Sequence, residues 1–284
     1  MRVGIVSAGE MGSALGAALL AGGIGVVTTL YGRSERTVRL AREAGLEGLP
    51  DLDAVVRGAG VLLSVAPPDQ AEAIAAEVAA AASRIGSTPL VADLNAVSPA
   101  TVRRIGEALA GLDLVDGSIS GPPPRKPGTT RIYLSGARAE ELLRLPFAGV
   151  ELVHVGDEAG AASAVKMSTA SVYKGTTAVM TQALLAARAN GVLAHVLDDL
   201  GELADGAALR TARSAAKAHR YVGEMHEIAA TQEAAGLTPA LFEAMAVVYT
   251  DLAGRPLAGS APEEVDQAVQ LDDVLERLAP EPGR

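Results

Sequence analysis

The sequence predicts an α/β protein in which a doubly wound parallel sheet is followed by an all-helical C-terminal domain. Two patterns support this fold class. Short, continuously apolar runs alternate with longer helix-like runs in the first half of the chain, whereas almost only helical periodicity follows residue 159. The length of 284 residues also favours two domains over a single hydrophobic core, and we place them at residues 1–156 and 157–284.

The strand candidates are apolar on both faces, as is typical of a parallel sheet that helices cover on both sides. They lie at residues 3–7, 26–31, 61–65, 90–94, 114–116, 132–135 and 151–155. The helix candidates between them lie at residues 11–21, 34–44, 69–83 and 98–110. Because strands that alternate with helices form parallel crossover units, the first domain should contain a βαβ array.

The second domain should begin with a long helix that runs to about residue 189. Val165, Val172 and Val179 recur seven residues apart and therefore share one face of that helix. Glycines at 191, 201 and 206 and the segment 236–239 then separate shorter helices.

The composition argues against several classes of protein. A formal net charge of −10 argues against a nucleic-acid partner, because binding to phosphates requires a basic surface. The chain has no cysteine, which excludes disulfides and cysteine-based metal sites or nucleophiles, and we predict no metal site. We see no secretory signal and no apolar run long enough to span a bilayer, so we expect a cytoplasmic protein with no membrane partner.

A glycine-containing turn joins the first strand to the first helix. Gly9 allows the backbone to approach a pyrophosphate, and Gly12 allows the helix to pack closely on the strand. The free N–H groups at the start of the helix, at Glu10 and Met11, favour negative charge. Ser7 takes the place of the first glycine of the G-x-G-x-x-G pattern. Its position at the start of a βαβ array favours a Rossmann-type dinucleotide site over a plain strand-to-helix turn.

The second strand is followed by Arg33 and Ser34, with no acidic residue where an NAD site would hold the ribose hydroxyls. Both side chains can bind a 2′-phosphate, so we predict NADP as the cofactor, with NAD as the alternative. Ser34 is equally explained as a helix N-cap and Arg33 as a solvated arginine, and the two roles can coexist.

Two later loops follow strands at the carboxyl edge of the sheet, where ligands bind in folds of this class. Val65, Ala66 and Pro67 lie in a stiff, proline-containing loop that can flank the adenosine or the nicotinamide ribose. Asn95 can donate and accept hydrogen bonds near the nicotinamide, whereas Ser98 is better explained as a helix cap.

Lys166 lies early on the long helix, among small apolar residues. The chain has only four lysines and otherwise uses arginine as its cation. Lysine can lose its proton when desolvated and arginine effectively cannot, so a lysine in this position suggests a group that titrates. Lys166, Ala170 and Lys174 share one helix face. Two surface lysines with solvated amines are the alternative interpretation.

These motifs, in this order, resemble those of the 3-hydroxyacid dehydrogenase superfamily. Its members include 3-hydroxyisobutyrate dehydrogenase, 6-phosphogluconate dehydrogenase and imine-reducing relatives. The matching segments are residues 9–12, 63–68, 95–99, 116–121 and 160–166. The later segment 220–228 resembles a phosphogluconate-dehydrogenase-like branch.

The resemblance implies an NAD(P)-dependent oxidoreductase that transfers a hydride between NADP(H) and a small hydroxy or keto substrate. It implies that Lys166 is the general acid/base, that Ser120 and Gly121 contact the substrate, and that Asn95 lies beside the nicotinamide. It also implies a site between the two domains and a homodimer formed through the helical domain.

Two departures from the family pattern put the substrate in question. Pro122 replaces a glycine whose N–H helps to hold a substrate carboxylate, and Ala170 replaces an asparagine one turn after the lysine. Arg125, Lys126 or Lys174 can supply replacement charge. Reduction of an imine or enamine is therefore an alternative, and a non-catalytic NADP-binding sensor or scaffold is another.

Overall fold

The computed structural model describes residues 2–260 and 264–280. It separates into two compact units, Met1–Met167 and Ser168–Arg284, here called the N-terminal and the C-terminal unit. The boundary expected from the sequence, at 156/157, precedes the long helix, whereas the first turns of that helix pack with the N-terminal unit.

The N-terminal unit is built on one eight-stranded sheet in the order β3-β2-β1-β4-β5-β6-β7-β8. The β6–β7 pair is antiparallel and the other neighbours are parallel, which confirms the doubly wound, mostly parallel sheet. The strands are β1 Arg2–Val6, β2 Gly25–Thr29, β3 Glu47–Leu49, β4 Val61–Ser64, β5 Leu90–Asp93, β6 Leu114–Ser120, β7 Thr130–Ser135 and β8 Val150–Gly156. Because β2 and β4 flank β1 on opposite sides, the strand order reverses at β1, which is where ligands bind in such sheets.

Helices cover both faces of this sheet because its strands are apolar on both faces. Ile5 packs with Leu15 and Leu19 in one buried cluster, and Val6 packs with Val56 in a second cluster. The helices are α1 Glu10–Ala21, α2 Glu35–Glu43, α3 Leu52–Gly58, α4 Ala71–Ile85, α5 Pro99–Ala108 and α6 Ala139–Leu143. The sequence did not predict β3, α3 or α6, which are all short.

The described residues of the C-terminal unit confirm the predicted helical domain. Its first helix, α7 Ala161–Ala189, begins within the N-terminal unit and is followed by α8 Leu193–Leu200, α9 Ala207–Ala215, α10 Ala218–Ala234, α11 Ala240–Ala253 and α12 Leu271–Leu278. Leu184, Ala207 and Leu275 form a small buried cluster. In the described ranges, no helix combines the length and the apolar character needed to cross a bilayer.

Candidate active site

The turn between β1 and α1 has the close packing that the glycine pattern predicts. A Cβ atom at Gly12 would lie 2.6 Å from the carbonyl oxygen of Ser7 and 3.3 Å from Cγ2 of Ile5, so any larger residue would push α1 away from β1. Ser7, at the place of the usual first glycine, has φ of 71°. The turn therefore keeps a left-handed conformation even though a serine occupies it.

Gly9 has a different reason to be glycine. Its φ of −70° is open to any residue, and no atom of the described residues lies within 4 Å of a Cβ built there. Neither backbone conformation nor packing inside the chain requires glycine at this position. The open space lies at the N-terminus of α1, beside Glu10 and Met11, and suits the approach of a phosphate.

Glu10 brings two arginines to the start of α1. Its carboxylate lies 3.8 Å from Nη2 of Arg36 and 4.0 Å from Nη2 of Arg125. Arg36 comes from α2, whereas Arg125 comes from the proline-rich loop between β6 and β7. Arg125 thus lies at the dinucleotide-type turn, so it adds positive charge there.

Arg33 and Ser34 follow β2, as predicted, and the two side chains differ from each other in their contacts. Ser34 is the N-cap of α2, because its Oγ accepts from the backbone N–H of Thr37 at 3.3 Å. Nε of Arg33 is buried and has no hydrogen-bond partner among the described residues. A cavity of about 370 Å³ is lined by Arg33, Glu35, Val38, Arg39, Arg42 and Glu43. Arg39 is paired with Glu43, but the orphaned guanidinium N–H of Arg33 still favours an anionic group.

Asn95 is buried, with 2 % of its surface exposed, and the protein uses its amide internally. Its Oδ1 accepts from the N–H of Ala66 at 2.6 Å, and its Nδ2 donates to Ser64 and to Asp93. The backbone of Val65 donates to the carbonyl of Val6 in β1. Asn95 therefore ties the loop of Val65, Ala66 and Pro67 to the ends of β4 and β5, rather than extending its amide into open space.

A row of buried polar residues crosses the sheet in register. Ser64, Asp93, Asp116 and Ser135 are direct neighbours on β4, β5, β6 and β7, and each is less than one-twentieth exposed. Burial raises the pKa of Asp93 to about 7, and the nearby charge of Asp116 adds to the rise. Sequence reasoning missed this row, although Ser64, Asp93 and Asp116 each interrupt or end an apolar run.

The start of α7 is attached to this row. Oδ2 of Asp116 accepts from the N–H groups of Gly160 at 2.8 Å and Ser163 at 3.0 Å, and Oδ1 accepts from the Ser163 hydroxyl at 2.6 Å. The Ser135 hydroxyl donates to Asp116 and accepts from the N–H of Ala162. The carboxylate of β6 thus holds the helix that carries Lys166.

Lys166 lies where β6 ends. Its partly buried Nζ donates to the carbonyl oxygen of Ile119 at 2.7 Å, and Ser120 and Gly121 follow Ile119 directly. The predicted acid/base and the two predicted substrate contacts therefore lie close together. Gly121 also has a structural requirement: its φ is 109°, and a Cβ there would lie 2.2 Å from the Thr129 carbonyl oxygen.

Pro122 and Ala170, the two departures from the family pattern, lie in different units of the structure. A cavity of about 180 Å³ is lined by Ser120, Gly121, Gly128, Thr129, Thr130, Arg131 and Glu151. Pro122 cannot donate an N–H, and its carbonyl accepts from the Thr130 hydroxyl. Ala170 is buried.

Lys174, one of the expected replacement charges, is already paired in the C-terminal unit. Its Nζ makes an ion pair with Glu224, and it lies 4.7 Å from the centre of the Tyr221 ring. Glu224 is almost fully buried, and Nη2 of Arg220 lies 3.7 Å from its other oxygen. Lys174 therefore neutralises a buried carboxylate, which explains its presence without a ligand.

Two family models match the chain. The NAD binding domain of 6-phosphogluconate dehydrogenase matches residues 2–145, and a domain of unknown function, DUF1932, matches residues 187–252. The first match covers the glycine turn, the loops after β4 and β5, and the β6–β7 hairpin. The second covers helices of the C-terminal unit.

The chain is also similar to individual proteins. It is 26 % identical to 3-hydroxyisobutyrate dehydrogenase of Pseudomonas aeruginosa over 211 residues, which is 72 % of this chain and 70 % of that protein. A solved structure of the conserved protein MTH1747, described as similar to 3-hydroxyacid dehydrogenases, is 30 % identical, with a TM-score of 0.66 over 92 % of this chain and 100 % of that one.

An imine reductase from Myxococcus stipitatus, solved in complex with NAD+, shares the fold alone. It is 20 % identical, with a TM-score of 0.55 over 88 % of this chain and 92 % of that one. Family and fold together indicate an NAD(P)-dependent oxidoreductase of the 3-hydroxyacid dehydrogenase type. The chain belongs to the 3-hydroxyacid dehydrogenase superfamily, through the family of the NAD binding domain of 6-phosphogluconate dehydrogenase.

Proposed function

We propose that this protein transfers a hydride between NADP(H) and a small hydroxy or keto substrate of the 3-hydroxyacid kind, with Lys166 as the general acid/base. One observation carries the proposal. The Lys166 amine donates a hydrogen bond to the Ile119 carbonyl, directly beside Ser120 and Gly121, at the sheet edge where ligands of this fold class bind.

The residues present fit a dinucleotide. The open position at Gly9 admits the pyrophosphate to the N-terminus of α1, and the loop of Val65, Ala66 and Pro67 is fixed at the neighbouring strand end. The orphaned Nε of Arg33 supports a 2′-phosphate and hence NADP, with NAD as the alternative. The nicotinamide, when bound, supplies or accepts the hydride.

Lys166 then handles the matching proton. In the reduction, its ammonium gives a proton to the substrate oxygen as the carbonyl carbon receives the hydride; in the oxidation, the amine takes the hydroxyl proton. An ammonium has three N–H groups, so Lys166 can keep its hydrogen bond to the Ile119 carbonyl oxygen and still present an N–H to the substrate. Ser120 can hold the same substrate by its hydroxyl.

Replacement of Lys166 tests this role. K166M should lower turnover by about 10²–10⁴-fold, because a positioned acid/base contributes about that much. Binding of NADPH, followed by its fluorescence, should stay within about threefold, since the amine lies at Ile119 rather than at the glycine turn. Turnover equal to that of the native protein would exclude Lys166 as the acid/base.

Pro122 and Ala170 favour a second candidate, the reduction of an imine or enamine. Pro122 lacks the N–H that the family pattern would use for a carboxylate, and Ala170 replaces an asparagine. A screen of NADPH consumption should include keto acids, neutral ketones and cyclic imines. Turnover of imines but not of keto acids would select this candidate, and tight NADPH binding with no turnover of any compound would select the non-catalytic sensor.

We also propose a cytoplasmic homodimer formed through the helical domain. Val172 and Val179, which share a face of α7, are 61 % and 59 % exposed, and Tyr173 beside them is exposed as well. Exposed apolar groups on one face favour an interface. Light scattering should give the mass of a dimer, and V172K/V179K should give the monomer; cell fractionation tests the location.

A further inference from the structure

The N-terminus of α7 is stabilised by side chains from other elements. A helix leaves its first N–H groups without helical partners. Here Gly160 provides no capping side chain, and none of the first-turn residues of α7 is acidic. Asp116 of β6 accepts from Gly160 and Ser163 and thereby supplies the negative charge that favours a helix N-terminus.

Two further contacts join β6 to α7. Ser118, two residues after Asp116 and therefore on the same face of the strand, donates to the carbonyl of Ala162 at 2.7 Å. One residue later, the carbonyl of Ile119 accepts from Lys166, one turn further along the helix. Three residues of the strand thus hold the segment 160–166, which contains the start of the helix and Lys166.

These contacts fix the rotation of α7 as well as its position. A helix turns by about 100° per residue, so a slip of one residue against β6 would rotate Lys166 away from Ile119. Asp116, Ser135 and Ser163 are fully buried. Removal of the carboxylate would take this acceptor from the N–H groups of Gly160 and Ser163 and from the hydroxyls of Ser135 and Ser163, and folded proteins avoid such unpaired buried donors.

We infer that Asp116 is a positioning residue for Lys166. Its carboxylate sets the start and the rotation of α7, and through them the place of the amine beside Ser120. Asp116 itself is buried beneath the helix and acts through it. The importance of this placement for turnover rests on the proposed function, but the placement itself is testable without any substrate.

The four lysines of the chain make that test direct. Protein labelled with ¹³C at lysine Cε gives one resonance per lysine, and K166R assigns that of Lys166. In D116A, the Lys166 resonance should shift and its relaxation should approach that of Lys126, which is exposed on a loop. D116N should restore much of the native signal, because an amide oxygen can still accept from Gly160 and Ser163.

The matched control is D113N, which removes an exposed acid just before β6 that pairs with Arg138. It should leave the Lys166 signal unchanged. If D116A does not fold, S135A/S163A removes the two hydroxyls that donate to the carboxylate and should produce a smaller change in the same direction. A native Lys166 signal in folded D116A, or in S135A/S163A where that variant replaces it, overturns the inference.

Turnover separates this inference from the proposed function. With a substrate from the screen, D116A should lower kcat about 10–100-fold while the Kd of NADPH changes less than about threefold, and D116N should recover most of kcat. A displaced Lys166 in D116A together with a native protein that reduces nothing would reject the proposed function alone. Turnover by the native protein, together with a Lys166 that is not displaced in D116A, would reject the inference alone.

Discussion

The carboxyl edge of the sheet and the interior of the C-terminal unit both contain buried polar groups, but among the described residues only the sheet edge leaves a buried side-chain polar atom without a partner. At the edge, Gly9 faces open space and Nε of Arg33 has no partner among the described residues. In the C-terminal unit, the amine of Lys174 pairs with Glu224 and lies over the ring of Tyr221, and these three residues form a closed cluster. Buried polarity alone therefore does not identify a ligand site. Substitutions in the closed cluster should lower the free energy of unfolding, and substitutions at Arg33, on the open edge of the sheet, should weaken cofactor binding.

The largest effect is expected in the closed cluster. K174M leaves the Glu224 carboxylate buried without its main partner, so the free energy of unfolding should fall by about 3–5 kcal/mol. Arg220, at 3.7 Å, keeps the loss from being larger. Urea denaturation measures the change, and K126M, at an exposed lysine, is the control. Equal stability of K174M and K126M would show that the Lys174–Glu224 ion pair does not stabilise the fold.

Asp93 should make the stability of the sheet edge depend on pH. Its pKa rises from 3.8 to about 7 on folding, so the native state keeps a proton that the unfolded chain loses. Between pH 4 and 7, the free energy of unfolding should therefore fall as pH rises, by at most about 1.4 kcal/mol per unit.

D93N cannot titrate and should reduce this slope, which denaturation at several pH values would show. The exposed acid Asp113 provides the control, since D113N should keep the native slope. An unchanged slope in D93N would show that folding does not raise the pKa of Asp93.

Arg33 tests the open edge most directly. R33A should weaken NADPH binding by about 10–100-fold, as expected for lost hydrogen bonds to a charged group, and should weaken NADH much less. Its stability should change little, because Nε has no partner to lose. Fluorescence titration of both cofactors measures the difference, with the exposed Arg57 as control in R57A. Equal weakening of both cofactors would contradict a 2′-phosphate site.

The smallest effect concerns the backbone of the glycine turn. S7G should raise the free energy of unfolding by up to about 1 kcal/mol, because φ of 71° strains serine and not glycine. Ala110, the other described non-glycine residue with positive φ, gives a matched variant. A110G should show a similar gain with no change in NADPH binding, whereas a loss of stability in S7G would mean that the serine hydroxyl outweighs the strain.

Local signals allowed the sequence to predict the sheet and the dinucleotide-type turn. Apolar runs marked seven of the eight strands, and the spacing of Gly9 and Gly12 marked the turn. The capping of α2 by Ser34 was likewise visible, because an N-cap depends on residues only three apart. The short β3 escaped, since three residues give no periodicity.

The rest depended on strand register. Asp93, Asp116 and Ser135 become neighbours only when β5, β6 and β7 are aligned, and a shift of one residue would move each side chain to the opposite face. The same limit applied to Asn95, whose partners Ser64 and Ala66 lie on another segment of the chain. The pairing of Lys174 with Glu224 joins two helices that the sequence could not place side by side.

The single antiparallel pairing in the sheet, between β6 and β7, has a consequence for how relatives can diverge. A hairpin changes its connecting segment without altering the order of the parallel strands, so residues 122–129 can vary in length and chemistry while the sheet keeps its strand order. Loop exchange at this hairpin is therefore a route to new selectivity beside Ser120 that leaves the parallel strands in place.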